Sequence, residues 1–122
     1  MKKEMLEALN RQIYEETNSA YIYAGMAAWL GAQGLRGMER WMVKQVKEEL
    51  EHAEKLFKYV SAHGAVVLEA LPKPQTEWAS ALAAFQAADE HEKYITGCIK
   101  RLSEQAESLG DTETKEFLQW YI

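Results

Sequence analysis

The sequence predicts an all-α protein, a four-helix bundle with one long crossover whose fourth helix is truncated. Three observations predict it. Apolar residues recur at alternating three- and four-residue steps through three long stretches, glycines and prolines separate those stretches, and the one short apolar run between them has no second strand to pair with. Two long helices in a hairpin, a proline-bearing crossover and two further helices form a single domain over 1–122. A plain three-helix protein competes with this layout, but element order and lengths favour four helices.

The first helix is expected from about Lys2 to Gln33, with Leu6, Leu9, Ile13, Ala20, Tyr23, Ala27 and Leu30 on one seam. Gly31, Gly34 and Gly37 frame a short turn, and a short connection implies an antiparallel neighbour. The second helix is expected from about Met38 to His63, with Met38, Met42, Gln45, Leu56 and Tyr59 inward and Gly64 ending it. Pro72 and Pro74 exclude a helix through the next segment, so Ala65–Glu69 is read as part of the crossover. Ser80 is a candidate N-cap for a third helix over about 80–109, whose seam is Leu82, Phe85, Ala88, Ile95, Ile99, Leu102, Ala106 and Leu109. Gly110 closes it, and Asp111 or Thr112 opens a fourth helix over 112–122.

Composition narrows the function. Of 122 residues 48% are apolar and 27% charged, the mixture of an ordinary folded domain. A net charge of −5 without basic clusters argues against nucleic acid or an anionic membrane as partner. Cys98 is the only cysteine, so neither an internal disulfide nor a Cys-x-x-Cys site is possible. Glu4, Glu7 and Asn10 interrupt any secretory core after the Met1-Lys-Lys start, and no stretch reaches spanning length, so a cytoplasmic protein is expected.

The informative residues are charges where the seam should be apolar. Glu16 falls between Ile13 and Ala20, Glu49 and His52 between Gln45 and Leu56, and Glu92 between Ala88 and Ile95. Each of three helices thus sends a carboxylate into one core. Unpartnered buried carboxylates cost several kcal/mol (roughly) and would repel one another, so a bound cation is the simplest compensation. Residues three apart share a helix face, so Glu49 and His52 can reach one metal. Bundle di-metal sites use a lone Glu from each of two helices and Glu-x-x-His pairs from the others; Glu16 and Glu92 are candidates for the first role. Carboxylate-rich ligation with one imidazole suits redox-active iron, although zinc or manganese also fits. Tyr23, on the face of Glu16, is a candidate catalytic residue, able to hydrogen-bond a ligand carboxylate or donate an electron, or simply a core tyrosine. Gln45 is a candidate donor to Glu49, and Glu48 either a ligand of a further cation or a solvated side chain. His63 and His91 are expected at the surface, and the four tryptophans in packing.

Leu9-Asn-Arg-Gln-Ile, Glu16-x-x-Ser19-Ala-Tyr-x-Tyr23, Gly34-Leu-Arg-Gly37, Glu48-Glu-Leu-Glu-His-Ala53, Pro72-x-Pro74-x-x-x-Trp78, His91-Glu92 and Phe117-Leu-Gln-Trp-Tyr121 together resemble bacterial and archaeal non-haem ferritin across the whole chain. The resemblance implies a ferritin-like fold and a di-iron ferroxidase centre. Glu16 and His52 would hold the first iron, Glu49 would bridge, Glu92 would hold the second, and Glu48 would serve a third, weaker position. It further implies Fe(II) oxidation by dioxygen or peroxide and ferric mineral stored in a homo-oligomeric cage of 24 subunits. Leu50 stands where haem-binding relatives carry a ligating methionine, so no haem is expected. In the family the fourth helix continues into a Gln- and Glu-rich motif that completes the second iron site. The alternative is accordingly a metal-binding or structural bundle with impaired oxidase activity. A rubrerythrin-like peroxidase would bring a Cys-x-x-Cys module, and DNA-protecting mini-ferritins interfacial ligands and basic tails.

Overall fold

A computed structural model describes residues Met1–Ile122. Four helices follow one another: α1 (Lys3–Ala32), α2 (Arg36–Ser61), α3 (Ala81–Ser108) and α4 (Thr112–Leu118), the last running into a 3-10 turn at Gln119–Tyr121. The architecture is the four-helix bundle with a long crossover. None of the helices is long and apolar enough to cross a membrane.

Local chemistry sets each boundary. At the end of α1 the Gly34 N–H bonds the Gly31 carbonyl at 3.0 Å and the Leu35 N–H bonds the Leu30 carbonyl at 3.0 Å, with Gly34 at φ +79°. This paired closure needs a left-handed residue, which glycine adopts without steric cost. The chain re-enters a helix at once, so α2 begins at Arg36, two residues earlier than the spacing predicts. Gly110, at φ +69°, closes α3 by the same pair of bonds, from its own N–H to Glu107 and from Asp111 to Ala106. Ser80 caps α3, accepting from the Ala83 N–H at 3.0 Å, and Asp111 caps α4, accepting from the Thr114 N–H at 3.0 Å.

Between α2 and α3 the chain runs without regular structure back along α1. The Asn10 amide supplies what a strand partner would have given: Nδ2 donates to the Ala65 carbonyl at 3.0 Å and Oδ1 accepts from the Val67 N–H at 2.8 Å. Further along, the crossover passes so close to Gly25 that a Cβ there would lie 2.6 Å from the Gln75 carbonyl oxygen. Trp78 then meets Trp29 edge to face at 5.9 Å. The crossover therefore follows α1 over most of its length and delivers α3 antiparallel to it.

The core lies in two parts. Met5, Leu9, Ile13, Leu56, Val60, Leu102, Ala106 and Leu118 form one cluster, and Tyr23, Met26, Ala27, Leu30, Met42 and Ala88 the other. Two residues expected on the seams lie outside it: Met38 is 40% exposed and Leu82 67% exposed. In α2 half-buried Glu39 takes the inward place one turn before Met42, and in α3 the inward stripe runs through Ala81, Ala84 and Ala88. Both misplacements are one-residue rotations at a helix start, where periodicity has least length to act on.

Candidate metal centre

A polar layer separates the two apolar clusters. Gln12, Glu16 and Ser19 of α1, between Leu9 and Tyr23, and Glu49 of α2 are all buried. Their spacing keeps them on the inward stripe, so the helix that buries Leu9 and Tyr23 must bury Glu16 as well. Glu16 is fully enclosed and Glu49 is 3% exposed. Such carboxylates persist only where something compensates their desolvation.

Glu16, Glu49 and His52 converge so that one ligand atom from each lies within 4.8 Å of the others. His52 Nδ1 is 3.6 Å from Glu16 Oε2 and 3.4 Å from Glu49 Oε2. Gln12 Nε2 donates to Glu16 Oε1 at 3.3 Å, which orients the carboxylate and leaves its other oxygen toward the cluster. Oε2 of Glu16 and Oε2 of Glu49 are both buried without a hydrogen-bond partner. Two orphaned anionic oxygens facing an imidazole nitrogen fit a divalent cation, and the O,O,N donor set is compatible with iron, zinc or manganese.

The electrostatics follow from this crowding. The Glu16 and Glu49 carboxyl groups beside Nδ1 push His52 up to about 10 against the opposing effect of burial, so the imidazole is protonated at neutral pH. Burial raises Glu49 above the usual carboxylate range, and Glu16 beside it adds to the effect while His52 opposes it. The imidazolium thus stands between the Glu16 and Glu49 carboxyl groups. A cation entering the cluster displaces that proton.

Glu92 lies outside this three-residue cluster, half-buried on α3 and engaged by the Tyr23 hydroxyl, which donates to its Oε1. Burial, the hydrogen bond to Glu92 and the charges of Glu49 and Glu16 hold the Tyr23 hydroxyl far above its ordinary value. Tyr23 thus connects Glu92 to the field of the cluster. Glu48 and Gln45 are half-buried on α2, and Leu50 faces outward, 49% exposed.

His91 is not the surface residue its position suggests. Its Nε2 lies 2.7 Å from Ser19 Oγ, its ring meets Tyr23 edge to face at 6.0 Å, and burial lowers its proton affinity. His63, half-buried, has Nδ1 2.8 Å from the Tyr59 carbonyl and Nε2 3.3 Å from Glu113. Gln12 and Ser19 carry no charge that marks them in the sequence, although both stand within one turn of Glu16 on the same stripe. Trp120 and Tyr121 carry no such signal for a different reason. Their ring centroids lie 5.5 and 5.6 Å from that of His52, a contact between the turn after α4 and α2 that no local spacing encodes.

Comparison with known proteins gives a consistent result. The sequence model of the family described as "Ferritin-like domain" matches residues 6–122. The chain is 33% identical to the bacterial non-heme ferritin of Campylobacter jejuni, aligning over its full length and 74% of that protein. Among solved structures, an open-pore ferritin from the archaeon Archaeoglobus fulgidus superposes with a TM-score of 0.97 at 47% identity, covering 99% of this chain and 75% of that one. A Chlorobium tepidum ferritin superposes with a TM-score of 0.95 at 34% identity, covering 99% of this chain and 75% of that one.

Proposed function

Because this chain belongs to the ferritin family, as a non-haem ferritin, we propose that it takes Fe(II) as substrate, oxidises it at a di-iron carboxylate centre and stores the ferric product. The observation that carries this reading is the pair of buried, unpartnered oxygens on Glu16 and Glu49 facing His52. An apolar or ordinary polar core would leave no carboxylate oxygen in that state.

In this reading Glu16 and His52 hold the first Fe(II), Glu49 reaches both ions, and Glu92 holds the second with Tyr23 orienting it. Glu48 serves a weaker third position. Dioxygen or peroxide is the oxidant, each Fe(II) giving up one electron. The product accumulates in a homo-oligomeric cage in the cytoplasm, with no haem.

The second reading is a bundle that binds iron but oxidises it slowly. One observation favours it: Glu92 stands apart from the cluster and its Oε1 is already engaged by Tyr23, leaving the second position with few free donors. Anaerobic Fe(II) titration followed by admission of air separates the two. The first reading expects two tight equivalents per chain and rapid oxidation, with Glu49→Ala losing both. One equivalent with slow oxidation supports the second reading. Wild-type protein that retains no Fe(II), or a Glu49→Ala variant oxidising at the wild-type rate, overturns the ferroxidase assignment.

A further inference from the structure

We propose that Tyr121 is a positioning residue for His52, holding the imidazole so that Nδ1 stays aimed at Glu16 and Glu49; this rests on the metal-centre reading above. Both ionic contacts of His52 are made through Nδ1, and its side chain is 33% exposed, so one flank of the ring borders solvent. A metal-ligating imidazole is ordinarily fixed by a hydrogen bond on its other nitrogen. Here the ring is flanked instead by two aromatic edges, Trp120 at an interplanar angle of 89° and Tyr121 at 74°.

Tyr121 is the member of this pair that is anchored. Its hydroxyl donates to the backbone carbonyl of His52 itself at 2.6 Å. The ring that limits the imidazole is therefore fixed to the same residue whose side chain it limits. Tyr121 also leans on Phe117 at 5.9 Å and on Trp120 at 4.8 Å, and Lys55 Nζ lies 4.3 Å over the Trp120 ring, returning the cluster to α2 one turn beyond His52. Trp120 is 53% exposed and lacks a comparable anchor. The 3-10 turn after α4 thus closes the solvent side of the imidazole, and loss of the Tyr121 hydroxyl or ring frees it to swing outward.

Co(II) titration of the full chain, followed by visible absorption, tests this, because the spectrum reports both affinity and imidazole coordination. Tyr121→Leu is expected to weaken Co(II) binding by about tenfold, the low end of the effect of removing a residue that orients a metal ligand, and Tyr121→Phe, which keeps the ring, by less, about threefold. In a His52→Ala background Tyr121→Leu should change affinity by less than about twofold, since its route of action is gone. Wild-type affinity in both variants, or the same loss with and without His52, overturns the proposal and leaves Tyr121 a packing residue. Tyr121→Phe keeps the ring and decides the matter should Tyr121→Leu fail to fold. A wild-type chain that takes up no Co(II), or a His52→Ala chain that binds as well as wild type, defeats the metal-centre reading itself.

Discussion

Glu16 and Glu49 each carry an oxygen without a donor into a layer enclosed by apolar clusters, and the His52 imidazolium faces both. The metal-free protein is therefore strained electrostatically at the proposed metal centre. Glu49→Gln should raise its stability by about 1–2 kcal/mol, since an amide removes one buried charge and can donate to Glu16. Thermal melting in chelator checks this, with metal affinity falling in the same variant. The pH dependence follows from His52 and Glu49. His52 is pushed up to about 10, so its contribution is complete below its ordinary value of 6.5 and is lost as pH rises through 10. Glu49 is also raised, so its burial penalty grows as pH climbs above its ordinary value of 4.5. Both make the metal-free protein less stable at higher pH. Metal binding runs the other way, because the proton on His52 must leave: Co(II) affinity should rise close to tenfold per pH unit between about 5.5 and 7.5, the mark of one displaced proton. A flat profile would mean that His52 is not a ligand.

Among the elements, α4 carries most for its length. Its seven residues would not form a helix alone, and it is held by a cap at one end and aromatic packing at the other. Asp111 accepts from the Thr114 N–H at 3.0 Å and from the Thr114 hydroxyl at 2.7 Å, while Thr114 Oγ1 lies 2.9 Å from the Tyr59 hydroxyl of α2. Phe117 stacks on Tyr59 with centroids 3.9 Å apart. Asp111→Ala should cost about 1 kcal/mol, the usual effect of removing an N-cap, read as a lower urea midpoint with unchanged slope. The same variant should weaken Co(II) binding, since Tyr121 reaches His52 only while α4 is seated.

Across the whole molecule the two core clusters have different tasks. The cluster around Leu56, Val60 and Leu118 ties α1, α2, α3 and α4 together below the polar layer. Leu56 is fully buried there, and Leu56→Ala should cost about 2–5 kcal/mol in chemical denaturation. Metal should stabilise the bundle by mass action, by about 2.7 kcal/mol at a free concentration one hundred times the dissociation constant. Differential scanning calorimetry with Co(II) would read this as a rise in melting temperature, absent in Glu49→Ala.

Much of this was legible in the chain. The helices, the hairpin, the crossover and the Ser80 cap follow from periodicity, glycine and proline, because these act over a few neighbouring residues. The inward placement of Glu16, Glu49 and His52 was legible for the same reason, since a helix fixes the angle of each side chain about its axis. What periodicity does not carry is how far one helix slides along another. That axial register brings Glu16 to Glu49 and His52, turns Glu92 to Tyr23, puts His91 against Ser19, and lays Tyr121 on His52. It is set by side chains packing between helices far apart in sequence, so the chain by itself determined which residues face the core, and only the tertiary structure decided which of them meet.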